Sequence, residues 1–289
     1  MAAPFDPLPQ FQDYARPERL VSASWLSARL GSPGLRVVES DEDTLLYDIG
    51  HLPGAVRIDW RHDLTDDVTR DVIDGEAFAE LMRSKGINRD DTVVIYGDQS
   101  NWWASYTLWV FELFGHEDVR LLDGGRDAWM AEERDTSFMV PDFPRSDYPV
   151  VERNDSEHRI LVQEVLGTIG KDTIIDVRSP EEFAGTNDDS SHPATAPALR
   201  NGHIPTARNY PWAESVHANS RFRSRAELDE IYGALKASEE TVIYCHLGDQ
   251  SAHTWFVLKH LLGFDKTRNY DGSWVEWGNM VRMPIERGE

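Results

Sequence analysis

Apolar residues fall along this chain in two alternating rhythms: short β-branched runs, and longer stretches with one apolar face. Leu35–Glu39, Thr92–Tyr96 and Val119–Leu122 are runs of the first kind, as are 173–177 and Thr241–Tyr244 further on; all predict buried strands. Residues 22–30, 76–85, 103–114 and 226–236 carry helical spacing, and so does the stretch from Ser251 through Trp255, Leu258, Leu261 and Leu262. Gly115 and Gly263 stand where two of these helices should stop. Strands alternating with helices predict an α/β fold, each sheet mainly parallel with helices on both faces.

The pattern occurs twice. A shift of 148 residues lays Val94-Ile95-Tyr96 over Val242-Ile243-Tyr244, Gly115 over Gly263, Asp123-Gly124 over Asp271-Gly272 and Trp129 over Trp277, without a gap. The turn Gly50-His51-Leu52-Pro53-Gly54-Ala55 likewise returns as Gly202-His203-Ile204-Pro205-Thr206-Ala207. This is a tandem duplication, with copies expected over 18–135 and 159–289 and a proline- and charge-rich linker over 136–158. The repeat-related Trp129 and Trp277, with Trp102, Trp103 and Trp274, are expected to pack helix on sheet rather than to line a cofactor box.

Composition narrows the chemistry. Within 289 residues, 51 acidic side chains outnumber 29 basic ones, and the formal charge of −22 opposes binding to nucleic acid or anionic membranes. An anionic small molecule must then be held by local groups. The single cysteine precludes an intramolecular disulfide, and neither a zinc-spaced cysteine pair nor an HExxH pattern occurs, so no metal site is expected. The opening MAAPFDPLPQFQDYARPERL lacks a basic then apolar leader, and no apolar run is long enough to cross a bilayer. A cytoplasmic protein is expected.

That cysteine, Cys245, sits between the end of a strand and the start of a helix, where ligands bind in parallel α/β sheets. A lone cysteine also serves as a small buried apolar residue. The loop His246, Leu247, Gly248, Asp249, Gln250 and Ser251 argues for chemistry instead: it is too polar for an apolar pocket, and Gly248 allows a curled loop whose amides point inward at an anion. Those amides and the helix N-terminus predict a thiolate already dominant near neutrality. The first copy carries Gly97 at this position, so only the second copy is expected to be catalytic.

Taken together, Tyr47-x-x-x-His51-Leu52-Pro53-Gly54-Ala55-x-x-Ile58, the loop Cys245-x-x-Gly248-x-x-Ser251 and Tyr270-Asp271-Gly272-Ser273-Trp274-Val275-Glu276-Trp277 resemble the two-domain rhodanese family. These are the thiosulfate and 3-mercaptopyruvate sulfurtransferases, and the resemblance runs from about residue 20 onward. It implies that Cys245 takes the outer sulfur of a small anionic donor as a persulfide and passes it to cyanide or a thiol, without a cofactor. It also implies substrate or persulfide binding by the loop residues 246–251 and donor recruitment by Arg200, with Arg178 a second candidate cation. The chain departs from the family at His246 and Leu247. Thiosulfate enzymes usually carry Arg and Lys there, and mercaptopyruvate enzymes Gly and Ser or Thr. Leu247 supplies no hydroxyl, so His51 is not carried over into a proton relay, and Asp249 adds negative charge near the donor. His246 is read either as a donor or cysteine contact or as a solvent-facing spectator. His51 and His203 are expected to bond backbone in their turns, and Asp176 to bond nearby loop amides.

Other classes fit less well. A cell-cycle phosphatase loop needs Cys-x5-Arg, and the arginine position is Ser251 here. The surroundings of Cys245 match no papain-like pattern. A protein-to-protein sulfur carrier, or a rhodanese-like binding module, remains the alternative to small-molecule turnover, with a sulfur-relay protein as partner.

Overall fold

The computed structural model describes residues 3–186 and 197–288; positions 187–196, inside the second expected copy, lie outside the described residues. Two compact units form, one of Met1–Asn154 with Val216–Ser224 and one of Asp155–Ser215 with Arg225–Glu289.

In the first unit, β1 (Leu20–Val21), β2 (Leu35–Glu39), β3 (Ala55–Arg57), β4 (Thr92–Tyr96) and β5 (Val119–Leu122) form a parallel sheet in the order β1-β5-β4-β2-β3. β4 lies at the centre with all its residues buried, which is why it reads as an uninterrupted apolar run. Helices Ala23–Ser27 and Gly75–Ser84 start where Ser22 and Asp74 accept hydrogen bonds from the backbone N–H groups of Trp25 and Ala77. Helix Trp102–Leu113 is buried at every residue after Trp102 and packs on β4 and β5. Much of the expected linker is fastened to this unit. Ser146 N donates to Arg83 O at 3.2 Å, Arg83 Nε donates to Tyr148 O at 2.9 Å, and Tyr148 Oη lies 3.0 Å from His116 Nδ1.

The second unit repeats the plan. β6 (Thr173–Asp176), β7 (Arg208–Asn209), β8 (Thr241–Tyr244) and β9 (Thr267–Asn269) form a parallel sheet in the order β7-β6-β8-β9. A parallel bridge between Arg159 and Asn269 stands where β1 pairs with β5 in the first unit. β8 is central and runs directly into Cys245. The following helix begins at Asp249, two residues before the expected Ser251, and continues from Phe256 into a π-helical turn, Val257–Leu262, that ends at Gly263 with φ +82°.

The histidine turns are structural in both units. His51 Nδ1 lies 2.9 Å from Tyr47 O and Nε2 3.0 Å from Met139 O, with the ring stacked on Tyr47. His203 Nδ1 lies 2.8 Å from Phe183 O, with its ring stacked on Phe183. Each ring fixes a tight turn through backbone carbonyls.

Gly97 has a stronger reason than the loss of a nucleophile. A Cβ there would lie 2.2 Å from Ser40 O and 3.2 Å from its carbonyl carbon, so this position of the first unit has no room for any side chain. Asn101 closes the loop further: its Oδ1 accepts from Gly97 N at 3.0 Å and its Nδ2 donates to Leu122 O at 2.8 Å. Because the obstructing atoms are backbone, Gly97→Ala is expected to destabilise the protein by roughly 1–3 kcal/mol. Denaturant unfolding measures this, and an unchanged midpoint would contradict the steric account.

Candidate active site

Cys245 follows the last residue of β8, and its backbone is held on both sides. Its N–H donates to Ser273 Oγ at 3.1 Å, and its carbonyl accepts from Trp274 N at 3.1 Å. The second bond has a counterpart in the first unit, where Arg126 N donates to Gly97 O at 2.8 Å. The sulfur is wholly buried. It accepts from Gly248 N at 3.0 Å and donates its S–H toward Asp249 Oδ1 at 3.4 Å, and Ser273 Oγ lies 3.9 Å away.

Gly248 makes this loop possible. It adopts φ +107° as the N-cap of helix Asp249–Phe256, and a Cβ on it would lie 2.8 Å from Asp271 O and 2.9 Å from Asp271 Cα. Asp271 is in turn gripped by Arg159, whose Nε and Nη2 donate to its two carboxylate oxygens at 2.8 Å each.

The electrostatics reverse one expectation. Burial and the Asp249 charge push the Cys245 thiol up to about 12, against the Gly248 and Ser251 N–H groups and the Ser251 hydroxyl, which act in the other direction. Burial and the Asp249 charge thus oppose the thiolate that the helix N-terminus alone predicts.

The other expected site residues divide into two sets. His246, Gly248, Asp249, Gln250 and Ser251 are buried around the sulfur and Leu247 is half-buried; His246 is thus no solvent-facing spectator. Both arginines are engaged elsewhere. Arg178 is buried: its Nε donates to Asp176 Oδ1 at 3.0 Å, its Nη2 donates to Gly202 O at 2.8 Å, and its guanidinium lies 4.5 Å from the Trp274 ring centroid. Asp176 also accepts from Arg178 N at 3.0 Å, the loop amide expected of it. Arg200 spends its donors on carbonyls at the end of helix Ser273–Trp277: Nε on Gly278 O at 3.0 Å, Nη1 on Met283 O at 2.8 Å, and Nη2 on Trp277 O at 3.0 Å and on Met280 O. An ion pair thus holds Arg178, and helix-end carbonyls hold Arg200.

Ser273 was not among the expected site residues. Its signal lay in the repeat, where the Gly125 position of the first copy becomes Ser273 in the second, both at positive φ, and only the second offers a hydroxyl to the cysteine. Among the described residues, no cluster of His, Cys, Asp and Glu side chains is placed to hold a metal ion.

Two stretches, residues 22–132 and 161–280, match the rhodanese-like domain. The chain is 67% identical to a Corynebacterium glutamicum protein named thiosulfate sulfurtransferase, over 100% of this chain and 97% of that one. It is 47% identical to a Thermus thermophilus protein named sulfur carrier protein TtuD, over 96% of this chain and 99% of that one. Among solved structures, SseA of Escherichia coli, described with the 3-mercaptopyruvate sulfotransferases, matches with a TM-score of 0.76 at 27% identity, over 89% of this chain and 98% of that one. The two matched stretches contain the Cys245 loop and its closed counterpart at Gly97, and the chain accordingly belongs to the rhodanese-like family as a tandem pair of its domains.

Proposed function

We propose that this protein is a sulfurtransferase that moves a sulfane sulfur from thiosulfate, or from 3-mercaptopyruvate, to cyanide or a thiol through a persulfide on Cys245. The observation that carries the reading is the sulfur of Cys245 at a strand end, receiving Gly248 N at 3.0 Å beside the first turn of helix Asp249–Phe256. Once the thiol loses its proton, the thiolate attacks the outer sulfur of the donor. With thiosulfate, the bond between the two donor sulfurs breaks and its electron pair leaves with sulfite. The negative persulfide then faces backbone N–H groups and the helix N-terminus, which favour an anion. An acceptor attacks the outer sulfur and returns the thiolate, so the cycle needs no redox partner or cofactor.

The 67% identical relative named thiosulfate sulfurtransferase supports thiosulfate as the first donor to test. A specific likeness favours a second reading, a protein-to-protein sulfur carrier: the 47% identical relative named sulfur carrier protein. No helix among the described residues is long and apolar enough to cross a membrane. We assign the protein to the cytoplasm, where a lone thiol stays reduced, with a sulfur-relay protein as a possible acceptor and neither nucleic acid nor membrane as a partner.

Intact mass after brief exposure to each donor is expected to gain one sulfur in the wild type and none in Cys245→Ser, and cyanide should remove it. Absence of loading by both donors would refute small-molecule turnover and leave the carrier reading. The thiol's high position sets the pH dependence. Because the thiolate is the reactive form and burial holds the thiol up near 12, loading should climb with pH and reach no plateau below about pH 9. A plateau near neutrality would show that the thiol titrates below its ordinary range. Arg200→Ala should lose about 2 kcal/mol of stability, through carbonyls left without a donor, and leave the donor KM within about twofold. A KM rising tenfold or more at unchanged kcat would return Arg200 to the donor.

A further inference from the structure

The first unit includes one segment of the second copy, Val216–Ser224, although its chain neighbours Ser215 and Arg225 belong to the second unit. The segment is a short hairpin. Val216 and Phe222 form an antiparallel bridge, His217 N donates to Arg221 O at 2.8 Å, and Ser220 N donates to His217 O at 2.9 Å, with Ser220 turning the chain at φ +64°. It carries Arg221 and Arg223 and no carboxylate side chain.

The hairpin sits on the first unit's counterpart of the catalytic loop. The repeat shift of 148 sets residues 97–101 against 245–249 and residues 123–127 against 271–275. Phe222 is buried, and its N donates to Asp123 Oδ1 at 3.0 Å. Ser220 Oγ donates to Asp127 Oδ2 at 2.7 Å and accepts from Ser100 Oγ at 2.9 Å. Arg221 pairs with Glu132, and Arg223 O accepts from Tyr14 Oη at 2.7 Å. The fit is close: a Cβ on Gly124 would lie 2.9 Å from Arg221 Cγ and 3.5 Å from Asn219 O. A basic hairpin thus meets Asp123, Asp127 and Glu132, so charge and hydrogen bonding agree on the occupant.

The repeat shows how far this loop has been turned to a new use. Asp123 corresponds to Asp271, which Arg159 holds in the second unit; in the first unit the same aspartate takes the hairpin's amide. Gln99, Ser100 and Asn101 all have left-handed φ, at 46°, 56° and 70°, a costly run for residues with side chains. Ser220 on Ser100, and Asn101 bonded to Gly97 N and Leu122 O, keep that run in place. The position of Ser100 is Gly248 in the second copy, where its N–H serves the sulfur.

Both ends of the hairpin lead to the helix that follows Cys245. Before it, the turn Trp212–Ser215 packs on helix Asp249–Phe256, with the Trp212 ring edge-on to His253 at a centroid distance of 5.4 Å. After it, helix Arg225–Tyr232 packs on the π-helical turn Val257–Leu262, where Arg225 Nη1 donates to Leu261 O at 3.4 Å. Ser215 Oγ and Tyr232 Oη, 2.8 Å apart, tie the two flanks together.

We propose that the closed loop of the first unit is a docking surface for the hairpin Val216–Ser224, and that holding this hairpin is what the first unit contributes to sulfur transfer. Ser100, Asp123 and Asp127 are positioning residues: they fix the segment whose flanks pack on the helix behind the Cys245 loop. The contribution to transfer rests on the sulfur-transfer reading above, whereas the docking stands without it.

Limited trypsin digestion of the full-length protein with mass analysis of the cuts, beside single-turnover loading over a range of thiosulfate and of 3-mercaptopyruvate concentrations, tests both parts. Arg221 and Arg223 are trypsin sites inside the hairpin. Asp123→Ala and Ser220→Ala should each be cut there about tenfold faster than the wild type, because a lost hydrogen bond lets the hairpin open locally. The same variants should lower the maximal loading rate about tenfold and leave the half-saturating donor concentration within about twofold, as expected of a displaced catalytic loop with its donor contacts intact. Asp123→Asn keeps an oxygen for the Phe222 amide and should restore both readouts. The two alanine variants lie on opposite sides of the contact, so misfolding of one leaves the other to decide. Cutting at the wild-type rate would overturn the docking role, and faster cutting with an unchanged maximal loading rate would overturn the positioning role. A wild type that loads from neither donor would instead overturn the sulfur-transfer reading, with the digestion still deciding the docking.

Discussion

The site hangs on the ion pair between Arg159 and Asp271. Two parallel bonds of 2.8 Å fix the Asp271 carboxylate, and the Asp271 backbone fills the space that a side chain at Gly248 would need. Gly248 can then turn its N–H onto the Cys245 sulfur at a φ that favours glycine. The chain leaving Asp271 returns Ser273 Oγ to the Cys245 amide and Trp274 N to its carbonyl. One buried pair thus positions the glycine, the cysteine backbone and the first turn of the helix together. Loss of one partner would strand the other's charge in a buried place, which is the costly way to break such a pair.

The two units show what duplication kept and what it released. Each places a buried acid at the end of the strand beside the central one, against the central strand's tyrosine and one arginine. Glu39 stands next to Tyr96 and accepts from Tyr96 Oη and from Arg126 Nη1, the latter at 3.3 Å. Asp176 stands next to Tyr244 and is paired with Arg178. The arginine comes from different places in the chain, and Trp274 occupies the position of Arg126 in the repeat, stacking on Arg178 instead. Packing demanded a cation beside this buried acid in each unit, not one sequence position. This freedom explains why Arg178 resembles a free substrate arginine when only the sequence is read.

Legibility followed the same line. β4 and β8 were plain because central parallel strands are buried on both faces, whereas β3 and β7 are two or three residues long and lie inside turns that read as loop. Trp129 and Trp277 were rightly assigned to packing: both are buried, and their Nε1 groups donate to Asp135 O at 3.0 Å and Pro284 O at 2.9 Å. The cysteine's position was legible from strand, loop and helix. Its protonation state was not, because a sequence shows which N–H donors surround a sulfur and not how completely water is removed from it. The reach of Arg200 was equally hidden, since its partners, Trp277 to Met283, lie about eighty residues away.

A loop that suppresses the thiolate can still favour the persulfide, because the two anions place their charge differently. In the thiolate the charge sits on Sγ, 3.4 Å from the Asp249 carboxylate. In the persulfide it moves to the outer sulfur, displaced from Sγ by an S–S bond of about 2.05 Å. Repulsion falls with distance, while the inward N–H groups of the loop still offer donors to an anion. On the proposed reading, such a site opposes ionisation of the empty cysteine and gives its electrostatic support to the loaded state. Such an arrangement requires the carboxylate near Sγ and the curled amides together, and the first unit, with Gly97 and Asn101 in their places, retains neither the sulfur nor the charge that would make use of them.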